Sequence, residues 1–127
     1  MPLIPLTLEQ LFAVCGLPAP CDAPAPWEGR VEAITAQVDT ANIFDQGRYP
    51  QLPYEKFKLI DGHRRSLEVY AQAADNRPIF EKLHARPTAT IIVRGRLALV
   101  KLPIMGACNQ GIKVIIDAAD QIEFGSP

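Results

Sequence analysis

Apolar and polar residues alternate with a period of two through most of the chain after Trp27, and only two short stretches carry a helical period. The first is 7–14, where Leu8, Leu11 and Phe12 share a face, Thr7 stands three residues before Gln10 at the capping-box spacing, and Gly16 provides a stop. Pro18, Pro20, Pro24 and Pro26 then remove backbone donors and fix φ, so 16–26 is expected to be an extended tether and not a packed element. A first strand is expected over Trp27–Val38, with Gly29 allowing a bend and Trp27 as a core anchor. The segment Asp39–Pro53 carries Gly47, Pro50 and Pro53 and reads as a long loop, which Ile43, Phe44, Tyr49 and Leu52 give something to pack with.

The clearest local signal follows. Tyr54–Ile60 and Arg65–Ala71 both alternate, and Asp61-Gly62 between them predicts a tight hairpin turn whose central residues take positive φ. On that reading Phe57 and Leu59 face inward with Leu67, Val69 and Ala71, while Lys56, Lys58, Ser66, Glu68 and Tyr70 face out. Valine at position 62 would then destabilise the fold by roughly 1–3 kcal/mol. Asp75 or Asn76 can cap the second helix, with Pro78 in its first turn, Ile79, Phe80 and Leu83 as its apolar stripe and Pro87 as its end. Thr88–Val100 is expected to be a long strand with Ile91, Val93 and Leu97 on one face and Ile92, Arg94 and Arg96 on the other. Leu102–Gly111, with Pro103 and Gly106, reads as a loop. Ile112–Asp117 is the fifth strand, and Gln121–Phe124 continues it beyond a bend or bulge at 118–120.

Composition narrows the class. A length of 127 residues suits one domain, here an N-terminal helix and tether over 1–26 followed by a β domain over 27–127, and 48% hydrophobic with 21% charged residues predicts folding. No apolar run approaches the ~20 residues a bilayer-spanning helix needs. The start, MPLIPLTLEQLFAVCG, lacks a basic leader. With a native Met1 the chain is therefore expected in the cytoplasm; with a signal peptide removed ahead of it, in the periplasm or cell envelope as a secreted protein or lipoprotein. Net charge is −1, but Arg48–Lys101 holds 11 Lys/Arg against five Asp/Glu while the remainder holds two against nine, so the middle is basic and the ends acidic.

Chemistry-bearing residues are sparse. Cys15, Cys21 and Cys108, with His63 and His84, sit at no metal-ligand spacing, so neither a metal nor a cofactor is expected. The thiols are either buried and free or, in an oxidising compartment, joined as Cys15–Cys21 or Cys21–Cys108. No nucleophile–base order, phosphate loop or carboxylate pair stands out, so the chain is not expected to be an enzyme.

Strand, long loop, two-stranded hairpin, short helix, strand, loop and strand is the element order of a five-stranded Greek-key barrel with its helix between the third and fourth strands. Through Val31–Thr35, the Phe57-x-Leu59/Leu67-x-Val69 hairpin, the Ile79–Leu83 helix, Ile91–Arg96 and Ile112–Ile116, the chain resembles the OB-fold family. The resemblance implies a ligand face on the outside of strands two and three, bordered by the first and last loops. Here that face offers Lys56, Lys58 and Tyr70, joined by Arg94 and Arg96 from strand four, with Phe44, Tyr49 and Tyr54 in the first loop and Met105 in the last. Cations for phosphates beside π-faces for bases imply single-stranded nucleic acid as partner. The alternative is an exported protein-interaction or assembly module with no nucleic-acid ligand, in which the same lysines are a solvated strand face.

Overall fold

In the computed structural model, which describes residues 4–86 and 90–124, helix α1 (Leu8–Val14) precedes strands β1 (Val31–Phe44), β2 (Glu55–Ile60) and β3 (Ser66–Ala71). Helix α2 (Arg77–Ala85) follows, then β4 (Thr90–Ile104), β5 (Ala107–Ile116) and a short β6 (Ile122–Phe124). The order β1-β2-β3-β5-β4 closes on itself through a β1–β4 pairing, making a ring of five strands, and β6 adds to β4. The architecture is mainly β and of the OB type, with α2 between β3 and β4 as the resemblance implies.

The ring interior follows from period two. Phe57, Leu59, Leu67, Val69, Ile91, Val93, Leu97, Val114 and Ile116 are buried, while their neighbours along each strand are half-buried or exposed. In register, Phe57 stands opposite Val69 and Leu59 opposite Leu67, as the alternation predicts. Helix α2 contributes Ile79, Phe80 and Leu83 to the same core, Phe80 meeting Phe57 edge-on at 6.3 Å between ring centroids. The expected stop of α2 at Pro87 and the start of the next strand at Thr88 lie outside the described residues.

Five local expectations change. First, β1 starts at Val31, because Trp27–Arg30 forms a turn with Gly29 at φ 86°; Trp27 itself is buried in the core. Second, β1 runs on to Phe44 through residues read as loop. Asp39 accepts from Ala41 N at 3.1 Å and Asn42 Nδ2 at 2.6 Å, a bulge absorbs 40–42, and pairing with β2 resumes at Ile43 opposite Phe57.

Third, 61–65 is not a two-residue turn. Asp61 Oδ1 accepts from His63 N (2.8 Å) and Arg65 N (3.0 Å), and the left-handed residue is Arg64 at φ 65°, not Gly62. A Cβ on Gly62 would meet nothing within 4 Å, so the expected penalty for valine there does not arise. Fourth, 102–111 is not a loop but the end of a long β4–β5 hairpin, paired to Ile104 opposite Ala107 and turned at Met105 (φ 50°) and Gly106 (φ 83°). Fifth, Gln121–Phe124 does not extend β5: a 3-10 turn at Ala119–Gln121 redirects the chain, and β6 pairs with β4.

The proline-rich segment is not a free extended tether: it turns at Pro20–Ala23, where Ala23 N donates to Pro20 O at 3.0 Å, and it is docked. Gln110 N donates to Ala19 O at 2.8 Å, Cys21 N to Cys108 O at 3.0 Å and Gln110 Nε2 to Ala23 O at 2.7 Å, and a Cys21–Cys108 disulfide joins the segment to β5. Helix α1 has the expected capping box at Thr7 and Gln10, buries Leu8 and Leu11, and is led in by Leu6, whose backbone bonds to Ala33 and Thr35 of β1. Cys15 at its end is free and buried, and burial, with Glu32 adding, pushes its thiol up to about 11.

Candidate nucleic-acid interface

The ring presents one outer face across β2, β3 and β5, and strand register determines which side chains meet there. One lateral row reads Phe44, Lys56, Tyr70, Ile115, Arg96 across β1, β2, β3, β5 and β4. The next reads Asp39, Lys58, Glu68, Lys113, Ala98. Neighbouring strands lie about 4.8 Å apart, so each row is a line of closely spaced outward side chains.

Lys56 is the hub of the first row. It is paired with Glu68 and lies 5.2 Å from the Tyr54 ring, 5.5 Å from Tyr70 and 6.0 Å from Phe44. Desolvation works against its charge, yet the hydrogen bond and charge of Glu68, with Tyr70 and Tyr54 adding, raise its pKa overall. Tyr54 and Tyr70 form a tilted pair at 5.7 Å, and Lys113 Nζ stands 4.7 Å from the Tyr70 ring. Among the described residues Lys58 and Lys113 have no carboxylate within salt-bridge distance; of the two carboxylates in these rows, Glu68 is held by Lys56 and Asp39 by Ala41 N and Asn42 Nδ2, against three lysines. The face has excess positive charge beside exposed π-surface.

Of the five residues the sequence pointed to, Lys56, Lys58 and Tyr70 stand together. Arg96 is exposed in their row, two strands beyond Tyr70 at about 10 Å. Arg94, two residues away on the same face of β4, is turned to β6, where its Nη1 donates to Glu123 Oε2 at 2.7 Å. Lys113 was missed. Its neighbour Tyr70 is 43 positions earlier, and only the parallel β3–β5 pairing brings them together. Sequence carries that signal solely through the fold's strand order. Tyr54 and Phe44, expected in the first loop, border the face from the start of β2 and the end of β1, whereas Tyr49 pairs with Phe44 farther out.

The first loop is held in place by its own polar contacts. Gln46 N donates to Glu55 Oε2 at 2.7 Å, Asn76 Nδ2 to Glu55 Oε1 at 2.9 Å, and His84 Nε2 lies 3.3 Å from Asp45 Oδ1. These tie the loop to β2 and α2 and fix the approach to Tyr54. Among the described residues no three of His, Cys, Asp or Glu gather as metal ligands, and no helix is long and apolar enough to cross a membrane.

No protein-family model matches the chain, and no curated protein matches it by sequence. Among solved structures it is similar to the mitochondrial single-stranded DNA-binding protein Rim1 of S. cerevisiae. The TM-score is 0.50 and the identity 13%, over 76% of this chain and 94% of that one. At that identity the likeness establishes the OB-type fold alone.

Proposed function

We propose that the protein is a non-catalytic module that binds single-stranded nucleic acid across the outer face of β2, β3 and β5. The observation that carries this reading is the cluster around Tyr70, where Lys56, Lys113 and Tyr54 surround one half-buried ring. Bases stack on Tyr70 and Tyr54, and phosphates meet Lys58, Lys113 and Arg96, with Arg94 a weaker contributor because Glu123 holds it. Lys56 orients the aromatic pair while Glu68 keeps it in place. That the structural neighbour is named for binding single-stranded DNA supports the ligand class.

Titrating a fluorescent oligothymidylate with the full chain tests this. Three phosphate contacts predict a log–log salt slope of about −2. Tyr70→Ala should weaken binding by about 1–3 kcal/mol with the fold intact, and Lys58→Ala with Lys113→Ala should flatten the slope. Retention of full affinity in the Tyr70→Ala variant contradicts the proposal.

A second reading is favoured by a different observation. The β4–β5 hairpin ends in Ile104, 63% exposed, and Met105, fully exposed, close to the Cys21–Cys108 bridge. An exported assembly module would use that apolar tip on a protein partner, and a disulfide suits an oxidising compartment. Absence of any salt-dependent oligonucleotide binding would favour it.

A further inference from the structure

Beside the aromatic cluster the N-terminal segment stands up from the ring as a wall. Between Phe12, Leu17 and Pro18 on one side and Leu102 and Ile112 on the other runs a groove enclosing about 700 Å³. That is a volume typical of small-ligand sites. Tyr70 belongs to both the cluster and this groove, so the two are continuous. The rim carries Lys58, Arg65 and Lys113 against Glu9 and Glu68. Both carboxylates are already engaged: Glu68 by Lys56, and Glu9 by Arg65 at 3.8 Å. Lys58 and Lys113 are left to attract an anion.

The wall is built into the fold. The disulfide and the bonds from Gln110 N to Ala19 O and Gln110 Nε2 to Ala23 O fasten 19–23 to β5, while Leu8 and Leu11 anchor α1 in the core. Apolar walls under a basic rim fit an amphiphile with a flat apolar body and an anionic end, which is the chemistry of an unpaired nucleotide.

We propose that this groove is a second subsite on the same strand path: a base leaving Tyr70 lodges between Phe12 and Ile112 with its phosphate on Lys58 or Lys113. The inference rests on the nucleic-acid reading above and extends it to α1 and the proline-rich segment, which otherwise have no part in binding.

Position 13 offers a test that spares the core. Ala13 lines the groove and is exposed, whereas Val14, the next residue, is 66% exposed and outside the groove. Ala13→Glu should weaken binding of a ~15-nucleotide oligothymidylate about three- to fivefold at low salt, and Ala13→Lys should strengthen it about twofold. Val14→Glu adds the same charge and should change affinity by less than about twofold. All three should melt with the wild type, because both sites are surface helix positions. Equal losses in Ala13→Glu and Val14→Glu, or none in Ala13→Glu, would overturn the subsite while leaving the Tyr70 face standing. A wild-type chain that binds no oligonucleotide would remove both proposals together. Loss of acidic-peptide binding in Ala13→Glu with DNA binding unchanged would reassign the groove to a protein ligand and overturn this one.

Discussion

The β2–β3 hairpin buries one face along its whole length and turns through residues 61–65, whereas the β4–β5 hairpin turns at Met105-Gly106 and extends with Lys101–Ala107 exposed. In the first, long-range packing sets the register: Phe57, Leu59, Leu67 and Val69 all reach the core, and the loop adapts through the Asp61 carboxylate. In the second, the distal register is held by ladder bonds, the left-handed turn residues and the disulfide neighbour Cys108, with little core beneath. A turn motif in sequence is therefore decisive only where nothing stronger specifies the register. Asp61-Gly62 has the right chemistry for a two-residue turn, and packing overrules it.

The contrast is open to mutation. The largest expected effect is on the fastening of the exposed hairpin. The Cys21–Cys108 bond closes a loop 87 residues long, and Cys21→Ser with Cys108→Ser should lower stability by about 4 kcal/mol in urea unfolding. A loss below about 1 kcal/mol would mean that the docked segment is held without it.

Next comes Gly95, at the inward position where β4 passes from β1 to β5. An added Cβ would collide with Val114 Cγ1 and sit 2.9 Å from Ile115 O and 3.0 Å from Ile116 Cγ2, backbone and core that cannot withdraw freely. Gly95→Ala should cost about 3 kcal/mol by calorimetry, an overpacking penalty. A neutral result would show that the β4–β5 crossing is looser than this contact geometry requires.

The turns themselves give the smallest and most discriminating pair. Gly106→Val should destabilise by about 1–3 kcal/mol, because position 106 sits at φ 83°, while Gly62→Val should stay within about 0.5 kcal/mol. Equal effects in thermal melts would restore the two-residue reading of Asp61-Gly62.

What could be read from sequence follows the same division. The faces of β2 and β3, both helices, the capping box of α1 and the core of β4 were legible because each depends on local period and on residues within one element. The continuation of β1 past Asp39 was not, since Thr40, Ala41 and Asn42 interrupt alternation and Ile43 resumes it only opposite Phe57. Strand pairing at 102–111 was masked by Pro103, Gly106 and Gly111, which also suit a loop. Pro103 is tolerated near the free end of the hairpin, opposite Cys108. Neither the turn at Pro20–Ala23 nor the docking of the proline-rich segment was legible in its prolines, because what fixes it is the distant Cys108–Gln110 stretch. For the candidate site, Lys56, Lys58 and Tyr70 could be grouped from one hairpin, whereas Lys113 and the place of Arg96 required the strand order of the closed ring.

A residue-resolved titration tests the central claim most directly. Adding oligothymidylate to isotopically labelled protein, with backbone amide shifts recorded at low and high salt, distinguishes the outer face of β2–β3–β5 from the apolar hairpin tip. The account predicts salt-sensitive shifts concentrated at Tyr54–Lys58, Glu68–Tyr70, Lys113–Ile115 and Arg96, with Ile104–Ala107 unmoved. Shifts confined to the tip, or none at any oligonucleotide concentration, would contradict it.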